Sequence, residues 1–397
     1  MITTLLLIII YISFINLGLP DSLLGSAWPS MYNSLNVPVN YAGYISMIIS
    51  AGTVFSSIFS EKIIKRFGTG VVTAVSVFMT AAALIGFSFS NAFVALCFYA
   101  IPLGLGAGSI DAALNNYVAL HYKAKHMSWL HCFWGIGAST GPIIMSFFLV
   151  SRNSWNLGYR SIGVIQLCLV VILFGALPLW KKVKSRNMEE QQKQNRDIKF
   201  LQLFGIPGVK QVLAAFFCYC SIELTAGLWG SSYFVLVKNI SPETAARWIS
   251  LYYIGITFGR FISGFLTMKF NNRQMIRLGQ AVIACGIVVF ILPVGTMLLL
   301  PGFFMMGLGC APIYPSFIHQ TPESFGSKYS QAIIGIQMAS AYIGSTFMPP
   351  LFGKIASYLG FGLFPLFIGL VLAAMIILTE IMNRKVDNAK APLQCSG

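Results

Sequence analysis

Long apolar segments separated by short polar turns run through the whole chain and limit what it can fold into. About 20 consecutive apolar residues allow a helix to cross the hydrocarbon core of a bilayer. Only 9% of the residues are charged, whereas soluble domains have about 25%. Segments of spanning length recur at 3–33, 41–60, 70–90, 93–120, 127–150, 159–180, 210–237, 245–268, 274–294, 296–318, 329–353 and 360–382. The sequence therefore predicts an all-α membrane protein with twelve transmembrane helices.

The 26 lysines and arginines indicate the orientation of these spans. If the N-terminus is cytoplasmic, twenty of them fall in cytoplasmic loops, helix ends and the tail. Five fall on the other side, and Arg260 lies within a span. Cytoplasmic loops of membrane proteins carry an excess of basic residues. We therefore expect a multi-pass protein of the cell membrane with both termini in the cytoplasm and the lipid bilayer as a partner.

The net charge of +15 does not indicate a nucleic-acid partner. The basic residues lie in short runs between apolar segments and do not alternate with aromatic residues on a soluble face. The eight cysteines are scattered, and their spacing matches neither a metal site nor a disulfide framework. No motif for covalent chemistry is present. We expect neither a cofactor nor a metal, no enzymatic activity, and a monomer.

One long polar stretch divides the chain into two sets of six spans. It reads KKVKSRNMEEQQKQNRDIKFLQLFGIPG, and its basic residues are suited to a cytoplasmic membrane surface. The expected organisation is an N-terminal half at 1–180, a basic cytoplasmic linker at 181–208, a C-terminal half at 209–382 and a cytoplasmic tail at 383–397.

The two sets of spans repeat each other at a separation of about 200 residues. Three places in the first set agree with this separation: Asp21, Trp28 and Tyr32 recur as Glu223, Trp229 and Tyr233, Arg66-Phe67 recurs as Lys269-Phe270, and Gly104-Leu105-Gly106 recurs as Gly307-Leu308-Gly309. Because an even number of spans separates the copies, both halves have the same orientation. The expected fold is two six-helix halves related by a pseudo-two-fold axis normal to the membrane, with a substrate site between them.

Three carboxylates lie at membrane depth, namely Asp21, Asp111 and Glu223. A charged group in the membrane is costly and usually marks a substrate or ion pathway. Asn115 lies one helical turn from Asp111, so the two side chains form one hydrogen-bonding surface. We interpret the three acids as proton-coupling groups and Asn115 as a substrate contact. The alternative is that hydroxyl groups of neighbouring helices satisfy them and that they only specify packing.

Further polar and aromatic residues within the spans are weaker candidates. His131 is a candidate for bonding solute or relaying protons, and a core histidine is the alternative. Arg260 is expected to brace the cytoplasmic gate rather than to touch solute. The remaining candidates for solute contact, each of which could instead be packing, are Trp28, Trp229, Tyr233, Tyr314 and Gln337.

The chain resembles the major facilitator superfamily over essentially all twelve spans. Within it the resemblance is to the fucose/galactose/glucose–proton symporter group and to sodium-dependent glucose transporter-like proteins. The segments that carry it are LGLPDSLLGSAWPS, GAGSIDAALNNYVA, MSWLHCFWGIGASTGP, YCSIELTAGLWGSSY and GRFISGF. SEKIIKRFG looks like a degraded loop 2–3 motif of the superfamily, and Arg66 within it is a second candidate brace of the cytoplasmic gate.

The resemblance implies roles for several of these residues. In fucose permease-like proteins an aspartate of the first helix and a glutamate of the fourth carry proton coupling and sugar contact, and Asp21 and Asp111 stand at the matching positions. Asn115 matches an amide of the family motif. His131 stands where that family has a sugar-contacting glutamine, so this chain departs from the family pattern at that position. Glu223 and Trp229 match the pattern of the glucose-transporter-like branch.

The leading hypothesis is a secondary transporter that moves a monosaccharide or a similar small polar solute together with protons, or with sodium. Alternating access would come from the two halves rocking about a midplane cavity. One alternative is a proton-driven exporter of amphipathic or drug-like compounds, because acids beside many aromatic residues also suit cationic drugs. Another is a transporter-like receptor or membrane enzyme that moves nothing.

Overall fold

The computed structural model describes residues 2–122, 124–180, 200–292 and 295–394, and it is almost entirely helical. Short 3-10 turns precede three of the helices, at Val39–Tyr41, Thr296–Leu298 and Phe361–Leu363. The helices are α1 Ile2–Asp21, α2 Leu23–Ser34, α3 Ala42–Phe67, α4 Thr69–Phe89, α5 Phe93–His121, α6 Ala124–Arg152, α7 Trp155–Gly175, α8 Leu177–Trp180, α9 Phe200–Leu203, α10 Val209–Lys238, α11 Pro242–Leu266, α12 Asn272–Ile291, α13 Leu299–Cys310, α14 Ile313–Phe325, α15 Ser327–Leu359 and α16 Phe364–Gln394.

These helices account for all twelve predicted spans. Within the described ranges, eleven helical segments are long and apolar enough to cross a membrane. The predicted span at 329–353 lies in α15, which is 33 residues long but richer in polar residues and contains Pro349 and Pro350. Most of the predicted linker, residues 181–199, lies outside the described residues. The last helix continues past residue 382 into the predicted tail.

The first span is interrupted at Ser22, directly after Pro20 and Asp21. A proline has no backbone N–H, so the carbonyl of the residue four positions earlier loses its helical partner. Here that carbonyl is Asn16 O, and the side chain of Gln166 on α7 donates a hydrogen bond to it at 2.8 Å. The interruption is therefore compensated by a neighbouring helix, as broken helices in membranes require.

The predicted repeat is visible where helices cross at glycine. A Cβ atom added to Gly104 on α5 would lie 2.2 Å from Ile49 O on α3. A Cβ atom added to Gly307 on α13 would lie 2.0 Å from Tyr252 O on α11. Both the glycine and its contact differ by 203 positions between the two halves. The same backbone crossing therefore occurs twice, once in each half.

A second crossing repeats at the same separation. Gly106 on α5 packs against Ser76 O of α4, and Gly309 on α13 packs against Gly279 O of α12. Small residues at helix contacts allow backbones to approach closely in membranes. Two independent crossings therefore support the two-halves architecture that the offsets predict.

The ends of the spans define two faces of the bundle. One face carries the start of α1, the turn after Phe67 and the turn after Leu266. We call it the basic face, since it carries most of the predicted cytoplasmic lysines and arginines. The other face carries the turns after Ser34 and Lys238, and we call it the opposite face.

The two halves touch each other mainly toward the opposite face. On α3, Gly43 packs against Pro350 of α15, and a Cβ atom added to this glycine would lie 2.7 Å from Pro350 Cα. Between the other pair of helices, Ser146 Oγ of α6 donates a hydrogen bond to Glu243 O of α11 at 2.8 Å. These contacts close the opposite face between the halves.

Two ion pairs join α12 to α16 at the basic face of the C-terminal half. Arg273 donates two hydrogen bonds to Asp387, at 2.6 and 2.8 Å. Arg277 donates two to Glu380, both at 2.7 Å. Exposed pairs of this kind contribute at most about 1 kcal/mol each. The arrangement ties the extended end of α16 to the bundle.

The N-terminal half has a different contact at the equivalent place. The residue 203 positions before Arg273 is Gly70, and the Trp180 ring lies directly against it. Trp180 also forms an edge-to-face contact with Tyr117, with ring centroids 4.7 Å apart. Aromatic packing therefore stands in the first half where ion pairs stand in the second.

Candidate functional site

A central cavity of about 660 Å³ lies between the two halves. Asp111 and His131 of the N-terminal half face Glu223 and Arg260 of the C-terminal half across it. Its wall also includes Thr267 and Asn272, which lie at the turn between α11 and α12. The cavity therefore extends to the basic face, on the side away from the contacts that close the opposite face.

A deeper lobe of about 240 Å³ continues from this cavity toward the opposite face. Trp134, Glu223 and Tyr342 belong to the walls of both spaces, so the two are contiguous. Hydroxyl and carboxyl groups are frequent in the wall of the lobe. They belong to Asp21, Ser46, Ser50, Thr53, Glu223, Tyr253, Tyr342 and Ser345.

Asp21 is exposed to the deep lobe and is not packed dry between helices. It is the last residue of α1, where the first span is interrupted. Its carboxylate accepts a hydrogen bond of 2.6 Å from the indole Nε1 of Trp134 on α6. The interruption thus brings a carboxylate to the edge of a space large enough for water or solute.

Arg260 lies in the wall of the central cavity, which differs from the expected brace at the gate. Its guanidinium lies 3.6 Å from the Glu223 carboxylate and 4.8 Å from the centre of the Trp134 ring. The Arg260 and Glu223 side chains are only 18% and 14% exposed. Although Arg260 is near the end of α11, its long side chain reaches the carboxylate, so neither charge is left without a partner of opposite sign.

These contacts form one continuous chain of polar groups across the two halves. It runs from Asp21 to Trp134 in the N-terminal half, and then to Arg260 and Glu223 in the C-terminal half. Sequence reasoning did not single out Trp134. It lies three residues after His131, so the helical spacing would have put it on the same face of α6.

Asp111 and Asn115 pair as the sequence predicts. Asn115 Nδ2 donates a hydrogen bond of 2.8 Å to the Asp111 carboxylate. Asp111 belongs to the wall of the large cavity, and Asn115 lies behind it, half-buried. The geometry therefore makes Asn115 a support for Asp111, and its role as a solute contact stays a prediction.

His131 and Tyr314 also lie in the wall of the large cavity. The His131 ring meets Phe14 edge-to-face, with ring centroids 6.1 Å apart. The Tyr314 hydroxyl lies 3.2 Å from Met338 Sδ. Both side chains have polar atoms at a surface that a solute entering from the basic face would pass.

The two repeated tryptophans lie outside both spaces. Trp28 and Trp229 are fully buried, and each donates its indole N–H to a backbone carbonyl. Trp28 bonds to Val39 O at 2.5 Å, and Trp229 bonds to Pro349 O at 2.7 Å. The geometry gives them a packing role, because their polar atoms are already satisfied by the protein.

Three other candidates also lie away from the cavity. Tyr233 is buried among aromatic rings that include Phe290. Gln337 is fully buried and accepts a hydrogen bond from Thr321 Oγ1 at 2.8 Å. Arg66 is exposed at the basic face, with its guanidinium 5.3 Å from the ring of the adjacent Phe67. The structure does not bring these residues together with the carboxylates.

Within the described ranges, histidine, cysteine, aspartate and glutamate form no group of three or more that could hold a metal ion. The side chains in the cavity wall provide hydrogen-bonding groups, aromatic surfaces and carboxylates. Such groups can hold a polar solute and can change their charge without breaking a covalent bond.

Comparison with known proteins places the chain in a family. The family model described as Major Facilitator Superfamily matches residues 10–333 and 211–392. Bypass of stop codon protein 6 of Saccharomyces cerevisiae is 22% identical over 394 residues, which cover 91% of this chain and 79% of that protein. The glucose/mannose transporter GlcP of Bacillus subtilis is 22% identical over 355 residues, 86% of each chain. A putative glucose/galactose transporter of Helicobacter pylori is 24% identical over 276 residues, 65% of each chain.

Solved structures share the fold at low sequence identity. The nucleoside transporter NupG has a TM-score of 0.73 at 13% identity and covers 95% of this chain and 98% of its own. A D-xylose-proton symporter has a TM-score of 0.73 at 14% identity, covering 95% of this chain and 96% of its own. The E. coli fucose:proton symporter FucP has a TM-score of 0.63 at 16% identity, covering 95% and 98%. The chain belongs to the major facilitator superfamily, and it is a multi-pass membrane transport protein rather than an enzyme.

Proposed function

We propose that this protein is a proton-coupled symporter of a monosaccharide. The observation that carries the proposal is the acid-lined cavity between the halves, where Asp21, Asp111 and Glu223 all reach the wall. A carboxyl group that faces a hydrated space can bind and release protons as the space opens to one side or the other. The relatives include proteins named as a glucose/mannose transporter and a putative glucose/galactose transporter, and these names support the choice of a sugar as the solute.

The deep lobe has the size and chemistry for one sugar ring. Its volume is about 240 Å³, many times the space of about 10–15 Å³ that one water molecule needs. Trp134 offers an aromatic surface on which a sugar ring can stack. Carboxylate and hydroxyl groups, including Asp21, Ser46 and Tyr253, surround that surface and can bond sugar hydroxyls.

Transport by alternating access follows from the repeat. The N-terminal half at 1–180 and the C-terminal half at 209–382 would rock against each other, with the segment 181–208 as a linker at the basic face. The structure has the opposite face closed and the cavity extending to the basic face, which we assign to the cytoplasm of the cell together with both termini. The same two halves closing at the basic face would expose the deep lobe to the outside.

Transport assays in proteoliposomes test this function. The purified protein should accumulate a radiolabelled hexose when a proton gradient is imposed, and an imposed sodium gradient at constant pH should not replace it. Asp21→Asn and Asp111→Asn should abolish accumulation while downhill exchange of solute persists. Asp387→Asn, in an exposed ion pair outside the cavity wall, serves as the matched control and should accumulate solute normally. If both cavity variants accumulate solute as the wild type does, the assignment of proton coupling to these acids is wrong.

A second candidate function is proton-driven export of amphipathic compounds. The outer part of the cavity wall favours it, since Phe14, Met127 and Met338 line it beside the acids. Methionine-rich apolar surfaces can adapt to solutes of different shape. A deletion strain separates the two candidates: an exporter protects against toxic cations, whereas a symporter supports growth on a single sugar.

A further inference from the structure

We propose that Arg260 is the permanent counter-ion of Glu223, and that this pairing removes Glu223 from the proton path. Proton coupling then resides in the N-terminal half, at Asp21 and Asp111. The proposal rests on the proposed function and refines it, because it separates three cavity acids that the sequence treats alike. Arg260 is a positioning residue in this view, since it acts by holding the charge of Glu223 fixed.

The Arg260–Glu223 pair is largely shielded from solvent. The Arg260 and Glu223 side chains are 18% and 14% exposed and lie 3.6 Å apart. Removing one partner of a buried pair leaves an uncompensated charge, which is strongly destabilising. An arginine side chain remains charged in proteins. Glu223 therefore has a permanently charged partner as long as the guanidinium stays beside it.

The other two cavity acids, Asp21 and Asp111, differ from Glu223 in the groups that bond to them. Asp21 and Asp111 accept their hydrogen bonds from neutral donors, Trp134 Nε1 at 2.6 Å and Asn115 Nδ2 at 2.8 Å. Within the described ranges neither acid forms an ion pair. A neutral donor does not fix the charge of a carboxylate, since the second carboxylate oxygen can still carry a proton. These two acids can exchange protons with the cavity.

Among the described residues, the surroundings of Glu223 contain no permanent cation besides Arg260 that could share its charge. The titratable groups that face it or line the same cavity from the packed helices are, within the described residues, Tyr219 and Cys220 on α10, Tyr252, Tyr253 and Arg260 on α11, Cys310 on α13, Tyr314 and His319 on α14, Tyr342 on α15, His131 on α6, Asp111 on α5 and Asp21 on α1. Arg260 alone among these groups carries a fixed positive charge.

Arg260 also makes a contact between the two halves. Arg260 lies over the Trp134 ring at 4.8 Å, and the two residues belong to different halves. A guanidinium over an indole is attracted electrostatically by the face of the ring. When the halves rock, this contact can break while Arg260 remains with Glu223, because α10 and α11 belong to the same half. The pair then moves as a neutral unit through both orientations.

Double replacement tests the pairing directly. We expect Glu223→Gln and Arg260→Gln each to lower the rate of solute counterflow by about tenfold or more, because each leaves a buried unpaired charge. The combined variant E223Q/R260Q should recover to within about threefold of the wild type, because its cavity again has no unpaired charge. The ratio of protons to solute transported by the combined variant should equal that of the wild type.

Several outcomes would overturn the proposal. If the combined variant exchanges solute but does not accumulate it against a gradient, Glu223 carries a coupled proton. If the combined variant is no better than the single variants, the two residues act independently. Arg260→Lys keeps the charge but shortens the reach and loses the planar group, so it should restore part of the counterflow that Arg260→Gln loses.

A peripheral pair provides the matched control for folding and surface effects. The variant E380Q/R277Q removes the pair between α12 and α16 and should leave counterflow and the proton ratio unchanged. If the wild-type protein shows no proton-driven accumulation, the proposed function fails. The pairing is then decided from counterflow alone, where the combined variant must still exceed both single variants.

Discussion

Trp134 of α6 contacts residues of both halves at the cavity. Its indole N–H bonds to Asp21, and its ring lies under the guanidinium of Arg260 and edge-to-face against Tyr253. It also forms part of the wall of both the large cavity and the deep lobe. One side chain therefore contacts an acid of its own half, a cation of the other half, and the space for solute.

Replacing Trp134 by phenylalanine separates these roles. Trp134→Phe keeps an aromatic ring under Arg260 and removes the N–H donor to Asp21. A hydrogen bond to a charged group contributes about 1.5–3 kcal/mol, so we expect proton-driven accumulation to fall by about tenfold or more. The measurement is initial uptake in proteoliposomes, with Trp129→Phe as control, because Trp129 is exposed on the same helix. Equal loss in the control would show that ring size on α6, rather than the N–H donor, is responsible.

At the scale of helices, glycine sets how closely neighbouring spans pack. The crossings at Gly104 and Gly307 recur at the same separation in the two halves, and each brings a backbone carbonyl against the glycine. A carbonyl in a helix cannot move aside alone, so any side chain at the crossing forces whole helices apart. The repeat in sequence therefore encodes a repeat in helix spacing.

Gly104→Ala should lower the unfolding temperature of the detergent-solubilised protein. The new Cβ would lie 2.2 Å from Ile49 O, and α3 and α5 would have to separate. Overpacking of this kind costs about 1–3 kcal/mol. Gly335→Ala is the control, since a Cβ there has no heavy atom within 4 Å. A thermal-shift measurement that gives the same midpoint for both variants would contradict the packing argument.

The sequence anticipated the elements better than their mutual contacts. Hydropathy predicted the twelve spans. Pro20 indicated that the first span is interrupted near Ser22, but the prediction treated that span as one continuous helix. Asp111 and Asn115 were paired correctly because both lie on one helix, where spacing determines proximity. The pairing of Glu223 with Arg260 joins two helices, and helical periodicity alone does not predict which side chains meet across such a contact.

At the scale of the whole molecule, the structure has one closed face and one face reached by the cavity. The seam that closes the opposite face includes the hydrogen bond from Ser146 to Glu243 O and the contact of Gly43 with Pro350. In the transport cycle that we propose, this seam opens while the basic face closes. A bond across the seam should therefore hold the protein in the state described here.

Cross-linking the seam provides the test. Cysteines introduced as Ser146→Cys and Glu243→Cys, in a background with the native cysteines replaced, should be joined by a short bifunctional thiol reagent. We expect the cross-link to abolish solute counterflow and a reducing agent to restore it when the reagent contains a disulfide, because the halves can no longer separate at the opposite face until it is cleaved. Each single-cysteine variant treated with the reagent is the control. Undiminished counterflow after complete cross-linking would rule out opening at this seam.

At the basic face, each half is stabilised internally by a different kind of contact. Arg273–Asp387 and Arg277–Glu380 tie α12 to α16 in one half, while Trp180 lies against Gly70 in the other. Dissolved ions screen exposed charges over about 8–10 Å, but they do not weaken aromatic packing. The two halves share one repeated architecture but consequently differ in their sensitivity to ionic strength. Added salt would weaken the contact between α12 and α16 in the C-terminal half and leave the packing of Trp180 on Gly70 in the N-terminal half unchanged.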